Sequence, residues 1–131
     1  MIVDALQIEL DHERRISNSE RLSVFRRNAT TWELLMLLAS EEDAGSAGLY
    51  KLAKRVHSDY LSDSALLKFM RERREDGLLL FETHAKRSQW SVRPDDAVLD
   101  ELNALLSLRN HQLSRAGRAR QQSDNALSAQ G

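Results

Sequence analysis

The hydrophobic period of this chain changes from helical to strand-like at Gly77. Three apolar residues before this glycine recur with the i, i+3, i+4 spacing of a helix face: Leu66, Phe69 and Met70. Beyond the glycine, residues 78–92 contain two strand-like runs separated by a basic turn. Glycine readily adopts the left-handed conformation that ends a helix. We therefore predict a helix that stops at Gly77 and passes directly into a β-hairpin.

Three further helices are predicted upstream of this point. Residues 2–16 carry apolar residues at four-residue spacing, and the polar cluster at 17–20 interrupts or kinks that helix. Thr30 and Glu33 have the spacing of a capping box, and the helix that they would open is apolar on almost every side. Such a helix belongs in the middle of a domain. Residues 49–56 then form a short helix with one apolar and one basic face.

A long helix is predicted after the hairpin. Pro94 suits its first position. A backbone N–H in the first turn has no acceptor within the helix, so the N–H that proline lacks is not missed there. The apolar residues of this helix form a seam of coiled-coil type: Val98, Leu99, Leu102, Leu105 and Leu106. Beyond Asn110 the apolar residues become too sparse to offset the entropy of ordering the chain. We predict a disordered or loosely helical tail over 111–131.

Taken in order, these elements predict a mainly α-helical fold with a small β-hairpin, arranged as a winged helix-turn-helix. Here the chain resembles the MarR family of transcription regulators over roughly residues 20–110. The resemblance rests on an ordered set of segments: 32–39 for the core helix, 52–55 for the first helix of the motif, 64–70 for the recognition helix, 75–78 for its exit and 92–95 for the end of the hairpin.

Two features depart from the pattern of that family. Arg73 stands where the family usually has a core leucine, which predicts a loosened helix end or an arginine whose charge reaches solvent. The hairpin tip at 85–88 is short and lacks the Asp-x-Arg pattern common in the family's wings.

The resemblance implies a homodimeric, sequence-specific DNA-binding regulator. A dimerising N-terminal arm would cover 1–28, the DNA-binding domain 29–93 and a C-terminal dimerisation helix 94–110. Two recognition helices would then lie about 34 Å apart on the DNA. Family members often bind small aromatic molecules, so a small-molecule effector is a further expected partner. Trp32 and Trp90 are expected to pack within the domain and not to line that effector's pocket.

Nine residues are candidate DNA contacts. Those on the short helix would position the DNA backbone, those on the recognition helix would read base edges, and those at the hairpin tip would enter the minor groove. In that order they are Lys51, Lys54 and Arg55; Ser62, Ser64, Lys68 and Arg71; and Lys86 and Arg87. Ser62 or Asp63 is expected to cap the recognition helix, and for Asp63 capping is favoured over a contact with a cytosine amine. The alternative is that the nine are ordinary solubilising residues.

The charge distribution supports a basic face despite a net charge of −1. Residues 49–93 hold ten basic and six acidic side chains, whereas residues 1–48 hold five basic and nine acidic. A second hypothesis is a winged-helix protein–protein interaction module that does not bind DNA. Five acidic residues around the recognition helix favour it: Asp59, Asp63, Glu72, Glu75 and Asp76.

No pattern predicts an enzyme, a metal site or a cofactor. The four histidines lie in four separate segments, and no glycine-rich phosphate loop is present. The absence of cysteine excludes thiolate catalysis and cysteine-ligated zinc. The first residues do not resemble a signal peptide, and no apolar run approaches the roughly 20 residues that span a bilayer. We expect a cytoplasmic protein with no membrane contact.

Overall fold

The computed structural model describes residues 2–41, 43–83 and 90–130. Within them the elements are α1 (Ile2–Asn18), α2 (Glu20–Phe25), α3 (Ala29–Ser40), α4 (Leu49–Arg55), α5 (Asp63–Glu75), β1 (Leu79–Thr83), β2 (Trp90–Pro94) and α6 (Asp96–Gln130). The strands pair antiparallel, from Leu79 opposite Pro94 to Thr83 opposite Trp90. The mainly α-helical fold with a small β-hairpin is confirmed, and α3, α4, α5 and the hairpin follow in winged helix-turn-helix order.

Helix α3 lies at the centre of the core, as its apolar composition predicts. Leu34 and Leu35 on this helix have no exposed surface. The core continues from α2 into α5 through Phe25 and Phe69, whose rings meet edge to face with centroids 5.6 Å apart. Trp32 packs against this core from its margin, with part of its surface exposed.

Two glycines determine how the hairpin joins the helices. Gly77 has a φ of 81°, which is the left-handed conformation predicted for the end of α5. The carbonyl of Gly45, in the loop before α4, accepts the backbone N–H of Val92 on β2 at 3.2 Å. A Cβ at Gly45 would lie 1.9 Å from the Val92 carbonyl oxygen, so only glycine fits at this approach. The loop before α4 is therefore joined to β2 by a backbone hydrogen bond.

The start of α3 differs from the sequence prediction. Asn28 is its N-cap, and the Asn28 side chain accepts the N–H of Thr31 at 3.0 Å. The predicted capping box of Thr30 and Glu33 is wrong, because both side chains bond instead to the segment between α4 and α5. An asparagine cap needs no reciprocal partner within the same helix.

Helix α6 also differs from the prediction at both ends. Pro94 is the last residue of β2, and the carboxylate of Asp95 accepts the N–H of Ala97 at 3.1 Å as α6 begins. The helix then continues to Gln130, through the segment 111–131 for which a disordered or loosely helical tail is predicted. Alanine, arginine and glutamine, which dominate this segment, are good helix formers, and it contains no proline.

Helix α1 packs along α6 through a cluster of charged residues. Arg109 on α6 lies 3.4 Å from the carboxylate of Glu9, and Arg26 lies 2.7 Å from that of Glu13. Between these two pairs His12 is buried, with 5% of its surface exposed. Burial lowers the pKa of His12, and the charge of Arg109 lowers it further. The neutral imidazole is therefore the form that fits this interface.

Candidate nucleic-acid interface

Helix α5 has one face anchored in the core and the opposite face exposed. Leu66, Phe69 and Met70 are buried, as their spacing predicts. The candidate base-reading residues of the other face are all exposed: Ser62, Ser64, Lys68 and Arg71. A helix anchored in this way can present its polar side chains to a major groove about 12 Å wide.

Ser62 is the N-cap of α5. Its Oγ accepts the backbone N–H of Ala65 at 3.2 Å. Of the two candidate caps, Ser62 is therefore the one used. Asp63 lies in the first turn, where a negative charge is favoured by the positive end of the helix. Because the Ser62 hydroxyl accepts through its oxygen, its hydrogen can still donate to a DNA group.

Two side chains of α3 hold the turn between α4 and α5. The Glu33 carboxylate accepts the backbone N–H of His57 at 2.5 Å and that of Ser58 at 2.9 Å. The Thr30 hydroxyl donates to the Ser58 carbonyl at 3.2 Å and accepts the N–H of Leu61 at 3.1 Å. These contacts fix the place where the recognition helix begins. Sequence reasoning missed them because the partners lie 24 to 31 residues away along the chain.

Helix α4 carries the three cations predicted to contact the DNA backbone. Lys51, Lys54 and Arg55 are exposed. Arg55 forms a hydrogen-bonded ion pair with Glu41, at the end of α3. Of the three, only the two lysines lack an ion pair among the described residues. Arg55 would have to leave Glu41 to contact a phosphate.

The hairpin tip predicted to enter the minor groove lies outside the described residues, and Lys86 and Arg87 lie with it. At the base of the hairpin, Arg93 Nε donates to the Glu82 carboxylate at 2.9 Å. A second bond, from Arg93 Nη1 to Asp96, spans 3.3 Å. The hydrogen bond to Glu82 raises the pKa of Arg93. Arg93 therefore fastens β2 to β1 and to α6, and its charge is already compensated.

Arg73 is accommodated without loosening the end of α5, which runs to Glu75. Its side chain is buried, and its guanidinium carbon lies 4.8 Å from the centroid of the Phe69 ring. Arg73 Nε lies 2.8 Å from a carboxylate oxygen of Asp76, although its N–H is not directed at that oxygen. The predicted loosened helix end is wrong, and the arginine charge is balanced by Asp76 and not by solvent.

Sequence reasoning missed Tyr50 and Arg74. The guanidinium carbon of Arg74 lies 4.8 Å from the ring centroid of Trp90 and 5.1 Å from that of Phe81. Tyr50 on α4 is 67% exposed. Six residues from α4, α5 and the two strands surround a cleft of about 270 Å³, the wing-root cleft: Leu49, Tyr50, Arg71, Arg74, Phe81 and Trp90. The one feature of the sequence that pointed to this cleft was the spacing of Arg71 and Arg74, which places both arginines on one face of α5.

A larger cleft of about 690 Å³, the interhelix cleft, lies between α3, α4 and α6. Its walls combine apolar side chains of α3 and α6 with polar or charged groups from α3, α6 and the α4 side. The apolar ones include Met36, Leu37, Leu102 and Leu106, and the polar or charged ones include Glu33, Lys54 and His57. Trp32 and Trp90 do not line it, in agreement with the prediction that they pack within the domain.

Neither a metal cluster nor a membrane-spanning helix is found in the described part of the chain. No group of three or more histidine, aspartate or glutamate side chains is placed there to hold a metal ion. None of the helices described combines the length and the apolar character that crossing a bilayer requires.

No protein-family model matches this chain. No curated protein is significantly similar to it in sequence. Among solved structures, it is similar at 16% identity to the organohalide-sensing transcriptional regulator RdhR-CbdbA1625, in the ligand-free form and in the form bound to 2,4-dichlorophenol. The matches cover 97% of this chain and 73% and 75% of the two solved chains, with TM-scores of 0.47 and 0.46.

Proposed function

We propose that this protein is a dimeric, sequence-specific DNA-binding transcription regulator. The observation that carries the proposal is the exposed polar and basic face of α5, opposite a buried apolar face and directly before a hairpin. Ser64, Lys68 and Arg71 would read the major groove, since serine, lysine and arginine donate to base edges and phosphates. Lys51, Lys54 and Arg55 would contact the backbone, and Lys86 and Arg87 would contact the minor groove.

The rival hypothesis of a protein–protein interaction module rests on five acidic residues near α5, and two of these contact a cation within the domain. Arg73 lies 2.8 Å from the Asp76 carboxylate and 3.8 Å from that of Glu72. Lys68 and Arg71 have no ion pair among the described residues, so both can donate to DNA without breaking a contact within the domain.

A homodimer would bury an apolar stripe that a single copy leaves exposed. Val3, Leu6 and Leu10 on α1 are 51%, 60% and 48% exposed. They recur at the spacing of one helix face, on the element that packs along α6. A second copy joined through α1 and α6 would cover this stripe and place two recognition helices on one side of the assembly. The division into an arm over 1–28, a DNA-binding domain over 29–93 and a dimerisation helix from 94 remains part of this proposal.

The interhelix cleft would hold a small-molecule effector. Its volume of about 690 Å³ falls in the usual range for small-ligand sites, and its walls combine apolar side chains with a few polar groups. Lys54 and His57 at one end favour an apolar molecule that carries an acidic group. Glu33 lines the same cleft and holds the turn before α5.

The experiment that tests the proposal selects duplexes from a randomised library on the full chain and then measures their affinity by fluorescence anisotropy. We expect a pseudo-palindromic site, bound more tightly than a scrambled duplex. Affinity should fall steeply between about 50 and 200 mM salt, with a slope of roughly −0.9 per phosphate neutralised. Lys68→Glu together with Arg71→Glu should abolish binding. If no duplex is recovered, or if salt leaves binding unchanged, the protein does not have this function.

The dimer is tested separately by sedimentation of the wild type and of Leu6→Glu. A charge in the centre of the apolar stripe should convert the dimer to monomer, while Arg14→Glu, another exposed position on α1, should leave it intact. A wild type that sediments as a monomer at high concentration would contradict the dimer.

A further inference from the structure

We propose that the wing-root cleft binds one phosphate group of the DNA backbone, through Tyr50 and Arg74 together with Arg71. This inference rests on the proposed function, and it adds a contact between the recognition helix and the wing. Neither Tyr50 nor Arg74 belongs to the residues expected from the sequence to touch DNA.

The cleft opens beside the face of α5 that is proposed to enter the major groove. Arg71 belongs to both, because it is exposed on α5 and also lines the cleft. Tyr50 is followed on α4 by Lys51, which is exposed as well. When a helix lies in the major groove, the phosphates of the groove edge lie beside it. A cleft adjoining α5 on the side of the hairpin is therefore placed to receive one of them.

The donors of the cleft suit a phosphate. The side chains of Arg71 and Arg74 have no ion pair among the described residues, so two guanidinium charges are uncompensated there. The guanidinium carbon of Arg74 lies over the rings of Trp90 and Phe81, and a guanidinium placed against aromatic rings can still donate its N–H groups to a phosphate. The Tyr50 hydroxyl is a further donor, and tyrosine is among the side chains that bind backbone phosphates.

The aromatic rings of the cleft do not favour a nucleobase as its occupant. Stacking of a base on Trp90 or Phe81 would require an unpaired nucleotide, whereas a duplex keeps its bases stacked and exposes its phosphates. Arg74 also already covers both rings. The rings therefore hold Arg74 in place, and pre-organisation of this kind lowers the entropy lost when the phosphate binds.

The test measures the salt dependence of binding for Arg74→Gln and Tyr50→Phe, with a selected duplex and with a scrambled duplex. Each variant should lower the affinity for both duplexes by a similar factor, about tenfold for Arg74→Gln. The slope of log K against log salt should become shallower by about 0.9 for Arg74→Gln, since one phosphate contact is weakened. Arg118→Gln, an exposed arginine on α6 outside the cleft, should change neither quantity.

Tyr50→Phe keeps the test valid if Arg74→Gln disturbs the hairpin. It removes a single hydroxyl from a side chain that is 67% exposed, so the fold is not at risk. If both variants bind with wild-type affinity and slope while Lys68→Gln binds more weakly, the cleft does not contact phosphate and the proposed function still stands. If wild type itself shows no salt-dependent binding, the proposed function fails and this inference fails with it.

Discussion

The carboxylate of Glu33 accepts the backbone N–H of Ser58 at 2.9 Å, and this bond joins the core helix α3 to the turn before the recognition helix. The same carboxylate accepts the neighbouring N–H of His57 and lines the interhelix cleft. One side chain therefore contacts both the place where α5 begins and the space proposed for an effector. A molecule that draws the Glu33 carboxylate into the cleft would release two backbone donors of the turn.

Glu33→Ala should cause a larger loss in the free energy of DNA binding than in the free energy of unfolding. The substitution removes both acceptors of the turn, and hydrogen bonds to a charged group contribute about 2 kcal/mol to stability. Glu33→Gln keeps one carbonyl oxygen and should lie between wild type and Glu33→Ala. Thermal unfolding and anisotropy with a selected duplex measure the two effects.

Glu41→Gln is the matched control, because Glu41 lines the same cleft but pairs with the exposed Arg55. An exposed ion pair contributes about 1 kcal/mol at most, so this variant should stay close to wild type in stability. It also frees Arg55 from its ion pair, so its affinity for DNA should not fall. Equal losses of DNA affinity in Glu41→Gln and Glu33→Ala would contradict a specific role for Glu33.

Substitutions of Ser62 should separate helix capping from DNA contact. Ser62→Ala removes the acceptor for the Ala65 N–H and should lower the free energy of unfolding by about 1 kcal/mol. Ser62→Asp keeps a capping oxygen and should retain the stability of wild type, yet its negative charge should repel DNA. If Ser62→Asp binds DNA as well as wild type does, Ser62 does not lie near the phosphates.

His12 should make the protein less stable as the pH falls. Its pKa is lowered in the folded state by burial first and by Arg109 second, so the unfolded chain binds a proton more readily. Stability is therefore complete above the unfolded pKa of about 6.5 and decreases as the pH falls below it, until the lowered folded pKa is reached. Chemical denaturation at about pH 8 and at successively lower pH values measures the effect.

His12→Gln should remove most of this pH dependence, since glutamine does not titrate in that range. The charged neighbours of His12 are Glu9, Glu13, Arg26 and Arg109, and this substitution leaves all four in place. His111→Gln, at an exposed position on α6, serves as the control and should retain the wild-type profile. The assignment is wrong if the His12→Gln and wild-type profiles coincide.

Gly45→Ala and Gly117→Ala should change stability in opposite directions. A Cβ at Gly45 meets the Val92 carbonyl oxygen at 1.9 Å, so the loop and β2 must separate, at a cost of about 3 kcal/mol. A Cβ at Gly117 meets nothing within 4 Å, and alanine is favoured over glycine inside a helix by about 1 kcal/mol. Far-UV circular dichroism and thermal unfolding measure both. Unchanged helicity and stability in Gly117→Ala would contradict a stable helix at this position and would agree with the disordered or loosely helical tail predicted from the sequence.

The sequence predicted best the features that depend on neighbouring residues. The end of α5 at Gly77, the hairpin after it and the buried positions Leu66 and Phe69 are local patterns, and the structure confirms them. Thr30 and Glu33 were misassigned because their partners are distant in sequence, and a local motif explained their spacing equally well.

The candidate site was predictable only in part. The exposure of Lys68 and Arg71 follows from the helical period of α5, but their contact with DNA stays a prediction. Tyr50 and Arg74 could not be grouped from the sequence, since two helices and two strands must fold together before these residues line one cleft.

The close succession of β2 and α6 also has a mechanical consequence. One residue, Asp95, separates the strand from the helix, and its N–H donates to the Leu78 carbonyl at the start of the hairpin. Helix α6 has 35 residues and is therefore about 52 Å long. Arg109 on this helix pairs with Glu9 on α1, so one continuous helix joins the wing to the element proposed to form the dimer. A change in the angle between two copies would therefore reach the wing directly through the backbone of α6.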